Sequence, residues 1–208
     1  MTDPIAAPRP SWMDALAPYA EGMDGRVPLK RQLHMMSGKT IVGIPAVTLR
    51  LPRWEGAPFA DDLGKKSSAM IELDGEHLFA ELAVLRLLEK QGWSGRWVNT
   101  QGAKGEVWKY LTRWDDVPRD EQRTRNIEEE EPRRMLARIA ARSKKRYGGC
   151  WDVYAWRGDE YAFLQTKRAA RDGDEVKELQ VDWLHTALLL SDPRVNLDSF
   201  GFVQWDFV

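Results

Sequence analysis

CWDVYAWRGDEYAFLQTKR, residues Cys150 to Arg168, decides how this chain is read. Two runs of alternating aromatic and aliphatic residues flank Gly158-Asp159, a two-residue loop of the kind that closes a tight β-hairpin. With that loop Arg157 faces Glu160, and counting back along both strands brings Asp152 opposite Gln165, their Cβ atoms about 5 Å apart on one side of the sheet. Lys167 lies two residues beyond Gln165, and the strand period of two puts it on that side as well. The rest of that face reads Tyr154, Trp156, Tyr161 and Phe163, and the opposite face Val153, Ala155, Ala162 and Leu164. Two apolar faces predict a central strand pair covered by helices on both sides. An acid, an amide and an amine at the rim of such a core need partners or a ligand. The plain alternative is that strand ends are polar and reach water.

Working outward, a helix pattern from Pro132 to about Arg146 precedes the hairpin and is broken by Gly148-Gly149. A second runs from about Asp174 to Leu190, and SFGFVQWDFV then ends the sequence as a strand. Upstream, Asp74 is placed to cap a helix from about Glu76 to Gln91, which Gly92 stops, and Arg96 to Thr100 is a short strand. The polar stretch 101–149, with its acidic run Glu128 to Glu131, reads as an insertion. Residues 1–70 read as an N-terminal arm, and the two prolines of Lys39 to Pro52 confine the one strand there to a sheet edge. Residues 71–208 form the main domain.

Two helical positions break the apolar pattern. Leu78, Leu82, Leu85 and Leu88 form the buried stripe of the first helix, and Glu81 falls inside it. Val176, Trp183, Leu184 and Ala187 form the stripe of the last, and Gln180 falls inside that. Both polar groups need partners unless they lie at stripe margins and reach solvent.

Bulk properties narrow the classes. Lys and Arg total 31 against 32 Asp and Glu, a net charge of -1, so contact with a polyanion must be local. Cys150 is the only cysteine, which excludes an intramolecular disulfide and any multi-cysteine zinc site and suits the reducing cytoplasm. No apolar run approaches the roughly 20 residues of a membrane helix, and MTDPIAAPRPSW lacks a signal pattern, so a soluble, unexported protein without a membrane partner is expected. Ser37-Gly38-Lys39-Thr40 ends like a phosphate loop, but Leu33 stands where the first glycine belongs, and His34, His77 and His185 form no metal pattern.

In their order and spacing these residues resemble the PD-(D/E)XK nuclease superfamily over roughly Glu76 to Val208. There, a glutamate on the first helix precedes a central hairpin carrying an aspartate and then an acid-x-Lys, followed by a helix and a strand. Glu81, Asp152 and Gln165-Thr166-Lys167 fit that order, with the Gln-x-Lys variant of Mrr-type restriction endonucleases. Gln180 is similar to the helix glutamine of VRR-NUC-type branches, while Trp151 stands where a proline is usual. The resemblance implies a three-layer α/β fold of restriction-endonuclease type, a mixed central sheet flanked by helices. It also implies hydrolysis of phosphodiester bonds in nucleic acid, DNA being the expected substrate, with Mg2+ or Mn2+. Glu81, Asp152, Gln165, Lys167 and Gln180 would then be the catalytic set, and Asp152, Gln165, Glu81 and the Thr166 carbonyl the metal ligands. Mg2+ sites of one or two carboxylates plus water suit such a set.

Arg134, Arg138, Arg142 and Lys145 recur at helical spacing before the hairpin, and Arg168 and Arg171 follow the lysine, so these six are expected to contact nucleic acid. A solvated, ion-paired helix is the alternative, since Glu130 stands at i,i+4 from Arg134. Expected partners are nucleic acid and a second copy in a homodimer. The rival function is a catalytically silent relative that binds nucleic acid or protein through the same scaffold.

Overall fold

A computed structural model describes residues 9–28, 43–61, 70–100, 106–169 and 177–208, with the backbone alone for 23–28. The expected phosphate-loop decoy Ser37 to Thr40, Arg171, and the expected helix start at Asp174 to Val176 lie outside the described residues.

The hairpin forms in the expected register. β7 (Val153–Arg157) and β8 (Glu160–Arg168) pair from Arg157↔Glu160 to Val153↔Leu164. Gly158 closes the turn at φ +57, which costs glycine little. Around this pair runs a seven-stranded mixed sheet of order β1-β2-β9-β8-β7-β5-β6. Its other members are β1 (Ala20–Pro28), β2 (Gly43–Leu51), β5 (Ser94–Asn99), β6 (Lys109–Leu111) and β9 (Phe200–Phe207). β8, β9 and β2 are parallel, and the flanking pairs are antiparallel.

Both faces are covered, which is why β7 and β8 are apolar on each side. Val153, Ala155, Ala162 and Leu164 share a core with α1 (Ser11–Leu16) and with α2 (Ala80–Glu89). Tyr154, Trp156, Tyr161 and Phe163 share a second core with α3 (Glu130–Arg142) and α4 (Glu178–Leu189). The protein is thus α/β, with helices on both sides of a mixed sheet.

Two expectations are corrected. Asp74 caps no helix: Asp74 and Gly75 have φ +54 and +81 and turn a hairpin between β3 (Ile71–Leu73) and β4 (Glu76–Leu78). The Asp-Gly pair favours that left-handed turn over a helix start, so α2 begins only at Ala80, while Leu78 is still buried. The strand expected at an edge is β2, which lies between β1 and β9. Pro45 is tolerated because the ladder to β9 starts at Ala46, leaving Pro45 paired only with Arg26 of β1. The stretch expected as an insertion, 101–149, supplies the edge strand β6 and the helix α3 that covers Tyr154, whose hydroxyl donates to the Pro132 carbonyl at 2.9 Å.

The described helix α1 of the N-terminal arm packs into the first core. Trp12 is fully buried, its indole N–H donates to the Asp198 carbonyl at 2.8 Å, and its ring lies against the Cα of Gly201 where a side chain would be. Gly201→Ala should therefore overpack this seat and lower stability by about 1–3 kcal/mol, read as a lower urea midpoint. An unchanged midpoint would show that α1 is not seated there.

Candidate functional site

The site is made where the central ladder ends. β7 and β8 stop pairing at Val153↔Leu164, but β8 continues along β9 through Gln165↔Phe202 to Arg168↔Trp205. On the other side, the Val98 N–H donates to the Asp152 carbonyl at 2.8 Å and holds Asp152 against β5. A notch therefore opens between β7 and β8, with Asp152 on its lip. One carboxylate oxygen, Oδ2, accepts from Gln165 Nε2 and from Thr166 Oγ1, the latter at 3.2 Å. Successive strand residues point to opposite faces, so a carboxylate reached by both lies near the mid-plane of the sheet. Gln165 and Thr166 are 5% and 8% exposed.

From Gln165 a chain of hydrogen bonds runs into α4. Gln180 Nε2 donates to Gln165 Oε1, and the Lys177 main-chain N–H donates to Gln180 Oε1 at 3.0 Å. The amide that interrupts the apolar stripe of this helix is thus buried and partnered. Gln165 and Gln180 lie on the face covered by α3 and α4.

Glu81 reaches the same end from the other face. Arg157, at the hairpin turn, donates to the carbonyl of Gln91, just past α2. The helix accordingly points its C-terminus at the turn and its N-terminus, with Glu81, at the open end. Glu81 is buried at 7% exposure. Lys167 is half-buried, its Cα opposite Gln204. Asp152, Gln165, Thr166 and Gln180 are linked by a chain of hydrogen bonds, while Glu81 and Lys167 are placed at that end by their elements. Asn99, buried at 4% exposure at the end of β5, follows Val98, whose N–H bonds the Asp152 carbonyl, and was not anticipated. Its signal was its place two residues after Trp97, on the face that packs on α2. His77 plays no such part: its ring stacks on Trp54 at 4.9 Å and on Phe59 at 4.2 Å.

Among the described residues no three His, Cys, Asp or Glu side chains are grouped as metal ligands. The expected ligand set contains only two carboxylates, Asp152 and Glu81, beside an amide and a carbonyl. A hard ion that keeps most of its water needs no more than that from protein.

The basic stripe is divided. Arg134 bonds Glu130 and, at 2.8 Å, Glu131. Arg138 bonds Asp192 at 3.0 Å, and Asp192 also accepts from Arg194, whose guanidinium holds that carboxyl well below the usual range. Arg168 lies 3.6 Å from Asp206 and over the Phe207 ring at 4.7 Å. Arg142, Lys144 and Lys145 remain exposed and have no ion-pair partner among the described residues. The turn that carries Lys144 and Lys145 runs on to Gly149, where a Cβ would collide with the Leu179 carbonyl, one residue before Gln180.

Two charge-neutralised variants separate these groups. Replacing Arg142, Lys144 and Lys145 by Gln should flatten the salt dependence of DNA binding by up to about 0.9 log units per lost phosphate contact. Replacing Arg134 and Arg138 by Gln should leave the slope unchanged, since both serve protein carboxylates. Equal slopes in parent and triple variant would make the turn a solvated face.

No family model matches the chain, and neither a curated protein nor a solved structure does.

Proposed function

We propose that this protein is a metal-dependent nuclease with a restriction-endonuclease-like core, hydrolysing phosphodiester bonds of nucleic acid, DNA first among them. The observation that carries the reading is the meeting of Asp152, Gln165, Thr166 and Gln180 at the end of the central ladder, with Glu81 and Lys167 brought to that end. This is where the resemblance in motif order asks for a site, and the fold built from those residues has helices on both faces of a mixed sheet.

Asp152 and Glu81 fit the carboxylate demand of one Mg2+ or Mn2+, with the Thr166 carbonyl as a further oxygen. The ion would supply polarisation of the phosphoryl oxygen and a more acidic bound water. The chain supplies the rest. Lys167, one strand step beyond Gln165, orients the attacking water and offsets negative charge that develops on the phosphate. Arg142, Lys144 and Lys145 hold the phosphate backbone alongside, which positions the scissile bond without contributing sequence readout. None of the described helices is long and apolar enough to cross a membrane.

One observation favours a second reading, a silent relative that binds nucleic acid. Asp152 Oδ2 already takes two protein donors, and an amide stands where most family members carry a second acid. Incubation with single- and double-stranded DNA and RNA in Mg2+ or Mn2+, against an EDTA control, separates the two. Cleavage is expected with metal alone and should vanish in Asp152→Ala and Lys167→Ala. Asp152→Ala should cost about 1–3 kcal/mol of stability, because Gln165 loses its acceptor. Undiminished cleavage in both variants would end the assignment.

A further inference from the structure

Each side-chain amide in the site has its direction imposed by the next. The main-chain N–H of Lys177 precedes α4, so no carbonyl of the helix serves it, and it donates to Gln180 Oε1 at 3.0 Å. An N–H can only donate. The oxygen of the Gln180 amide must therefore face the helix start, and its NH2 group must face away, toward Gln165. An NH2 group can likewise only donate, so Gln165 must turn its oxygen to Gln180 and its own NH2 to Asp152. Orientation of an amide is assigned by its network, and this network has one consistent solution, anchored on a backbone group that cannot flip.

We propose that Gln180 and Gln165 are positioning residues, which aim the Asp152 carboxylate through donated hydrogen bonds, and that Gln165 is not itself a metal ligand. For its catalytic consequence this rests on the nuclease reading. Service as a ligand would require the Gln165 oxygen to swing toward Asp152. Its NH2 would then face the NH2 of Gln180, leaving two buried donors opposed and the Asp152 oxygen without one of its two donors. Gln165 thus does work opposite to that of an acid at the same place: it holds Asp152 by attraction, where a carboxylate would repel it until a cation lay between them. Thr166 adds a donor from the other sheet face, so Asp152 is fixed from both sides.

The side-chain amide signals of Gln165 and Gln180, in protein labelled with nitrogen-15, test this without any need for activity. In the metal-free parent both amides should exchange slowly with water. In Asp152→Ala the Gln165 NH2 should move to the position of a free amide and exchange faster, while Gln180 stays. In Gln180→Glu the helix-start contact is kept and the donor to Gln165 Oε1 is lost, so the Gln165 signal should shift and its exchange should quicken. Saturating Mg2+ should leave both parent amides slow to exchange. A Gln165 signal indifferent to Asp152→Ala, or released by Mg2+, overturns the proposal. Should Asp152→Ala not fold, Gln180→Glu alone decides, by the change it must cause at Gln165. Failure of the parent to bind Mg2+ would count against the metal-dependent reading and leave the amide result standing.

Discussion

The structure turns on an interrupted ladder. β7 and β8 pair through five rungs and then part, because β7 ends at Val153 while β8 runs on beside β9. At that point side-chain contacts take over from the ladder, inside a sheet covered on both faces. Asp152 does so as the common acceptor for Gln165 and Thr166, with its own carbonyl tied to β5 through Val98. A half-buried carboxylate needs protein donors to offset lost hydration, and its position near the sheet mid-plane lets donors from both faces reach it. The same place admits α2 from one side and α4 from the other, so one break in pairing gathers residues from four elements.

How much of this the sequence disclosed follows from which interactions are local. Hairpin register depends on a two-residue turn and a period of two, so the meeting of Asp152 and Gln165 was legible from Gly158-Asp159 alone. Gln180 and Glu81 were legible as polar breaks in apolar helical stripes, since burial makes such breaks conspicuous. Asp74-Gly75 was misread because an acid before an apolar run can cap a helix or turn a hairpin, and only tertiary pairing of Ile71–Leu73 with Glu76–Leu78 decides between them. The interior place of β2 was hidden because its partner, β9, lies some 150 residues away, and parallel pairing leaves no local mark. Asn99 carried only a weak period-two signal.

Charge shows the same division. Helical spacing identifies a row of cations but not their partners, and Asp192, which binds Arg138, comes from the loop after α4. Pairing uses up the N-terminal part of α3 and leaves the turn beyond its C-terminus. That turn is pinned against α4 by Gly149, where close backbone contact with Leu179 leaves no room for a side chain. The position of unpaired charge is thus set by packing.

In the proposed function this end of the sheet holds a divalent cation for phosphodiester hydrolysis. Anomalous diffraction from crystals soaked in Mn2+ tests it most directly. A manganese peak bound to the Asp152 carboxylate on the side toward Glu81, with Gln165 still donating to Asp152, is the expected result. Manganese bound only elsewhere, with Asp152 unliganded, would contradict it.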